Sequence, residues 1–208
     1  MNKVGLFPLG LVLFPKSSYP LYIYEERYKV LINECWNEQK LFGITLLMPN
    51  KMSEVGCLTN ISDIMKVQEN GEMEILVTGK NRFKIKRILD GNKPYLEAII
   101  EKYEDTDSTA SPDLLKSVMD VYNEIARKVK KFKIQEIDFD SIGTNQPSFI
   151  FALKSGLSLE ERQKLLEMQS ENQRLEMLYN HLKFLQPIVE KAEGIEKIAR
   201  NDGYFSLK

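Results

Sequence analysis

Leu6-Phe7-Pro8-Leu9-Gly10-Leu11-Val12-Leu13-Phe14-Pro15, followed by Pro20-Leu21-Tyr22-Ile23-Tyr24-Glu25-Glu26-Arg27-Tyr28, is the stretch that decides the fold. It is apolar, but Pro8, Gly10 and Pro15 interrupt any helix. Proline fixes φ and lacks an N–H, which suits extended segments that wrap a sheet edge. The same breaks weigh against a signal peptide, although Lys3 and the run Val4–Phe14 resemble one superficially. No small-x-small cleavage site follows the run.

Outward from this stretch the first half reads as sheet. Pro20–Tyr24 is a short strand. Glu25–Gln39 has helical spacing, with Tyr28, Leu31, Ile32, Cys35 and Trp36 on one stripe. Leu41–Leu47 is a buried strand in which Gly43 marks a bulge or a close backbone approach. Asn70-Gly71 predicts a hairpin turn with positive φ at both positions, entered by Ile61–Gln68 and left by Met73–Thr78. Gly79–Asn81 is a second turn. Arg82–Arg87 then alternates, with Phe83 and Ile85 on one face and Arg82, Lys84 and Lys86 on the other. Pro94–Tyr103 is the last strand, with Leu96, Ala98 and Ile100 on one face.

Glu104–Ser111 holds no large apolar residue and marks a boundary. Ser111-Pro112 opens a helix with proline in its first position. Leu114, Leu115, Val118, Val121, Tyr122, Ile125 and Val129 recur at helical spacing after it. A short helix is expected over Pro147–Leu153. Ser158…Glu161 and Ser170…Gln173 have capping-box spacing and open two more helices, and Pro187 kinks or ends the second. The fold class is therefore α+β. A mainly antiparallel β domain with one helix (1–105) precedes a linker (106–111) and a carboxyl-terminal α-helical bundle (112–208).

Chemistry is sparse. Net charge is −1 over 208 residues, too balanced for general attraction to nucleic acid or anionic lipid. No run of 18 apolar residues exists to span a membrane. The two cysteines, Cys35 and Cys57, read as packed thiols of a reducing, cytoplasmic compartment. His181 is the single histidine, on a helix, and cannot build a histidine-rich metal site. Gly79-Lys80-Asn81-Arg82 fails as a phosphate loop, because Glu74 and Asn81 stand where glycine and serine or threonine are needed. Asp138 and Asp140 read as surface carboxylates. Arg82, Lys84, Lys86 and Arg87, and separately Arg127, Lys128, Lys130, Lys131 and Lys133, read as solvated faces without interleaved aromatics. No catalytic, cofactor-binding or metal-ligating set emerges.

The ordered motifs resemble the amino-terminal substrate-binding (LON) domain of Lon proteases. The resemblance rests on Phe7-Pro8-Leu9, Phe14-Pro15, Pro20-Leu21, Ile23-Tyr24, Glu25-Glu26-Arg27-Tyr28, Phe42-Gly43-Ile44 and Val55-Gly56-Cys57-Leu58. It continues through Asn70-Gly71, Gly79-Lys80-Asn81-Arg82-Phe83, Pro94-Tyr95 with Ala98, Glu160–Glu167 and Asn172–Glu176. Cys57 replaces a usual threonine. The ATPase and Ser-Lys protease that follow in full Lon have no counterpart in these residues, so the chain reads as a free-standing, non-catalytic member.

The resemblance implies a module that binds exposed apolar segments of unfolded or partly folded polypeptides. An adaptor or regulator docking on one folded protein partner is the alternative. Leu47, Met48, Pro49 and Met52, in a loop with two adaptable methionines, are the candidate peptide-binding residues. Glu25, Arg27, Tyr28, Arg82 and Phe83 are motif residues read as structural, with Glu25 and Arg27 anchoring the helix entrance against the sheet.

Overall fold

The computed structural model describes residues 2–129, 135–138 and 142–201, with side chains described through residue 192. The expectations on Lys130, Lys131, Lys133 and Asp140 lie outside these residues, as does most of the polar tail. The described chain falls into two compact units. The first runs to Asp105 and takes in Leu157–Glu167; the second holds Thr106–Gly156 and the residues from Met168 on.

Six strands form the first unit: β1 Asn2–Leu9, β2 Ser18–Ile23, β3 Phe42–Met48, β4 Lys51–Val67, β5 Met73–Leu89 and β6 Glu97–Lys102. Their order is β2-β5-β4-β3-β1-β6, and a further β5–β6 pairing joins the ends. Strands β1, β3, β4, β5 and β6 thus close a ring, with β2 added along the first half of β5. Closure removes most free edges, which are otherwise templates for aggregation. The sheet is mixed, because β1 runs parallel to β3 while the other pairs are antiparallel. Of the opening stretch, Leu6–Leu9 is therefore part of an interior strand between β3 and β6, while Pro20–Ile23 lies in β2 at the sheet edge.

Two long strands and their bulges give this ring its curvature. Arg82 pairs with Cys57, and Gly79 pairs with Thr59, so one extra β5 residue is accommodated between them. The expected turn at Gly79–Asn81 is instead part of continuous β5. Gly79 is needed there because a Cβ would collide with the Phe14 carbonyl oxygen. That approach is fixed by Lys16 N–H donating to Gly79 O and Gly79 N–H donating to Ser17 O, both at 2.9 Å. Inside the ring Val4, Leu6, Phe83, Ala98 and Ile100 form one core cluster. The Phe83 ring fills the space above Gly43 and Gly56: a Cβ built on either glycine would lie 2.7 Å from Phe83 Cζ.

Helix α1, Glu26–Asn37, buries Tyr28, Leu31, Ile32 and Cys35 against Ile23, Ile44, Ile75 and Val77 of the sheet. Each such aliphatic side chain contributes about 1.5–3 kcal/mol when fully buried. Trp36, expected on this stripe, is instead 44% exposed. The hairpin after β4 also departs from expectation. Only Gly71 takes positive φ (78°), while the Asn70 side chain accepts from Glu72 N–H at 3.1 Å. The asparagine works through its side-chain oxygen, so a longer loop replaces the two-residue turn.

The second unit holds α2 Pro112–Lys128, α3 Ser148–Ala152 and α5 Glu171–Asn201. Helix α2 packs against α5, burying Leu115, Val118, Tyr122 and Ile125 on one side and Leu175, Leu178 and Leu182 on the other. Helix α5 continues through Pro187. Residues 106–111, read as a linker, are bonded into this unit: Thr106 N–H donates to Gln169 O at 2.8 Å, and Asp107 bridges Ser170. Helix α4, Leu159–Glu167, sits with the sheet and not with the later helices. Its capping box forms as spaced, with Ser158 N–H on Glu161 Oε2 at 2.8 Å and Glu161 N–H on Ser158 Oγ at 3.2 Å.

Candidate functional site

Leu47, Met48, Pro49 and Met52 come together at the tip of the β3–β4 hairpin. Met48 pairs with Lys51 and Leu47 with Met52, leaving Pro49-Asn50 as a two-residue turn. Before the tip the register slips between Thr45 and Leu47, and Thr45 Oγ1 donates to the Ser53 carbonyl at 2.6 Å. That bulge frees the last two β3 residues from the buried pattern of Phe42–Leu46. Leu47 is 48% exposed and Pro49 is also exposed. Met52 is half-buried against the cluster inside the ring. A flexible thioether backed by a packed core and flanked by an exposed leucine makes an adaptable apolar contact. The four candidate side chains, Leu47, Met48, Pro49 and Met52, are all uncharged, so what they offer a ligand is apolar contact.

The other motif residues have internal partners. Arg82 is buried and donates to Asp105 and, at 2.6 Å, to the Leu166 carbonyl at the end of α4; it also lies 5.1 Å from the Tyr103 ring centre. Phe83 is fully buried over the two glycines. The Tyr28 ring packs 4.0 Å from Phe7, and burial raises the pKa of its hydroxyl. Glu25 and Arg27 bond to each other, with Arg27 Nη2 2.7 Å from Glu25 Oε2, and both are substantially solvated. The pair closes on itself and does not anchor α1 to the sheet. Arg27 also stacks on the Tyr28 ring at 4.6 Å.

Both thiols are buried and free. Burial pushes Cys57 up to about 12 and Cys35 up to about 11, far from a reactive thiolate. His181 Nε2 lies 2.8 Å from the Ser155 carbonyl oxygen, a local structural contact. Among the described residues no three histidine, cysteine or carboxylate side chains gather to hold a metal. No described helix is long and apolar enough to cross a membrane.

Several polar arrangements had no local signal in the sequence. Glu34 accepts from Lys93 Nζ at 2.6 Å and Tyr95 Oη at 2.5 Å, and these bonds hold its carboxyl below the ordinary value. Lys93 and Tyr95 lie some sixty residues away in sequence, and only the fold brings them to α1. They line a cleft of about 370 Å³ whose charges are largely internally paired, including Lys3 with Glu97 at 2.8 Å. A second cleft of about 650 Å³ lies at the end of α1, between Trp36, Lys40, Asn60 and Ser62. In the second unit Glu171 and Arg174 form a fully buried pair at 2.7 Å, with Ser148 N–H and Oγ also donating to Glu171.

Residues 3–183 match the family described as the ATP-dependent protease La (LON) substrate-binding domain. A Lon protease of Syntrophus aciditrophicus is 26% identical over 193 residues, covering 82% of this chain and 24% of that protein. A Lon protease of Desulfosudis oleivorans is 23% identical over 216 residues, covering 97% of this chain and 26% of that protein. The chain thus spans about a quarter of the length of these curated relatives. Among solved structures, a Lon N-terminal domain protein from Xanthomonas campestris superposes with a TM-score of 0.67 at 22% identity, covering 86% of this chain and 97% of that one. The N-terminal domain of a Mycobacterium avium complex Lon protease gives a TM-score of 0.69 at 15% identity, covering 88% and 98%. At these identities the structural likenesses establish the fold.

Proposed function

The chain belongs to the LON substrate-binding domain family, and on that premise we propose that it is a non-catalytic polypeptide-binding module. It recognises exposed apolar segments of unfolded or partly folded chains, in a reducing compartment such as the cytoplasm, and needs no cofactor. The observation that carries this reading is the hairpin tip. Leu47 stands 48% exposed beside Met48 and Pro49, on a ring of strands whose motif side chains Arg82 and Phe83 are spent on internal packing. An apolar contact held on a rigid scaffold loses little conformational entropy on binding.

The test is a fluorescence-anisotropy titration of a labelled, permanently unfolded carboxymethylated protein with this chain. Saturable binding is expected, and Leu47→Asp should weaken it about tenfold, the loss expected for one well-buried leucine anchor. No saturable binding, or full affinity in the Leu47→Asp variant, overturns the assignment of the site. Affinity for one folded partner alone, with none for unfolded chains, would replace the module with an adaptor.

A further inference from the structure

Beyond the hairpin tip, we propose that the solvent face of the β2–β5–β4 arm binds a polypeptide segment carrying arginine or lysine next to apolar side chains. The register builds this face row by row. Leu21, Ile75 and Ile64 point inward to the core under α1, as do Ile23 and Met73. Side chains alternate across a strand, so the neighbouring rows point out. The outward rows are Pro20–Leu76–Asp63 and Tyr22–Glu74–Lys66. Tyr24 extends the second row beyond the end of β2.

The face is aromatic and acidic together. Tyr22 and Tyr24 are 46% and 60% exposed, and their rings stack with centroids 6.2 Å apart. Glu72 accepts from the Tyr22 hydroxyl, and Gln68 Nε2 donates to it at 3.1 Å, so this ring is held in place before any ligand arrives. Asp63, Glu72 and Glu74 supply three negative charges against the single positive charge of Lys66, a local −2 on a chain whose total is −1. Asp63 and Glu74 have no salt-bridge partner among the described residues, whereas Glu54, earlier on β4, and Glu101 on β6 pair with Lys84 and Lys86.

A guanidinium or ammonium group is attracted to the face of a tyrosine ring and to a carboxylate at once, and Pro20 with Leu76 adds an apolar shelf for the neighbouring residue. The complementary occupant is a basic-apolar segment. Negatively charged segments are repelled. Docking occurs across the face and not along the β2 edge, because Pro20 interrupts that edge with a residue that has no N–H to share. Pro20 to Tyr24 spans about 13 Å, so an extended segment of about four or five residues is covered.

This inference rests on the polypeptide-binding reading but uses a different surface, so the two can fail separately. The probes are three labelled decapeptides of one frame, with alternating Leu–Arg, Leu–Ala and Leu–Glu, titrated by anisotropy. The Leu–Arg peptide should bind at least tenfold more tightly than Leu–Ala, with no measurable binding of Leu–Glu. Raising salt from 50 to 500 mM should weaken the Leu–Arg complex severalfold. Glu74→Lys and the exposed double variant Tyr22→Ala/Tyr24→Ala should each cost the Leu–Arg peptide at least fivefold and leave Leu–Ala binding unchanged. Leu47→Asp should do the reverse.

Circular dichroism and the retained Leu–Ala affinity establish that the variants fold. Should the tyrosine variant misfold, Glu74→Lys, a half-exposed substitution, decides alone. Equal affinity for Leu–Arg and Leu–Ala, indifference of the Leu–Arg complex to Glu74→Lys, or a self-association that buries Tyr22 and Tyr24 would each overturn the proposal. Leu–Ala affinity unchanged by Leu47→Asp, with Leu–Arg discrimination intact, would sink the hairpin assignment and leave this one standing.

Discussion

Replacing Gly43 with alanine tests the packing at the centre of the ring. The added Cβ would lie 2.7 Å and 2.9 Å from Phe83 Cζ and Cε1, and 3.0 Å from Leu6 Cδ2. Those separations are well inside carbon–carbon contact, and the ring is fully buried with little freedom to move. Overpacking of this kind costs about 1–3 kcal/mol. Phe83→Ala removes the ring and should cost about 3–5 kcal/mol as a large-to-small core substitution. In that background Gly43→Ala meets only the end of the Leu6 side chain, which can shift into the space the ring vacates, and should be neutral or stabilise by about 0.5–1 kcal/mol, the usual gain over glycine in a strand. The double-mutant cycle therefore predicts a coupling of about 2 kcal/mol or more. Urea unfolding followed by Trp36 fluorescence measures it. Gly56 is the control, because its Cβ would also strike the Ile44 carbonyl oxygen, which belongs to the backbone. Gly56→Ala should stay destabilising even without the phenyl ring. Additivity of Gly43→Ala and Phe83→Ala within 0.5 kcal/mol would refute the proposed packing.

Arg82→Ala strips a donor from the buried Asp105 and from the Leu166 carbonyl, and should cost about 3–5 kcal/mol in a thermal or urea melt, with Arg82→Lys restoring less than half. A cost under about 1 kcal/mol would show that the tie between β5 and α4 is dispensable. The thiols give a pH dependence. Cys35 and Cys57 titrate near 11 and 12 when folded against an ordinary 9.0, so the unfolded chain releases these protons first. Their contribution is complete below about pH 9 and is lost as pH rises through 11 and 12. Stability measured at pH 10 should fall below that at pH 8, by less in a Cys57→Ala variant. Iodoacetamide at pH 8 should modify neither thiol of the native protein within minutes and both in urea.

Much of the scaffold was legible because its signals are local. The helix over Glu25–Gln39, the hairpin near Asn70-Gly71 and the Ser158–Glu161 capping box all lie within a few residues of their partners. The misread features depend on distant ones. Gly79 looked like a turn, yet its reason is the Phe14 carbonyl, sixty-five positions earlier in the chain. Arg82 looked like part of a solvated basic strand, yet it is buried by Asp105 and by Leu166, which lies 84 residues away. No periodicity could place α4 with the sheet, since its tie to β4 is Gln163 Nε2 donating to the Val55 carbonyl at 3.0 Å. Trp36 sits on the helical stripe by spacing, but it is 44% exposed and borders the cleft that Asn60 and Ser62 line. The exposed tip at Leu47–Met52 was legible as a turn with methionines. Tyr22 and Tyr24 were not singled out, because an aromatic run in a strand reads as core until the register shows which face is covered.

Amide hydrogen exchange of this chain, alone and saturated with an unfolded carboxymethylated protein, asks most directly whether polypeptide recognition is its work. Slowed exchange confined to residues 46–53 and to the outward rows of β2, β4 and β5 is the expected result. Unchanged exchange throughout, or protection appearing only at residues buried around Arg82 and Phe83, would contradict it.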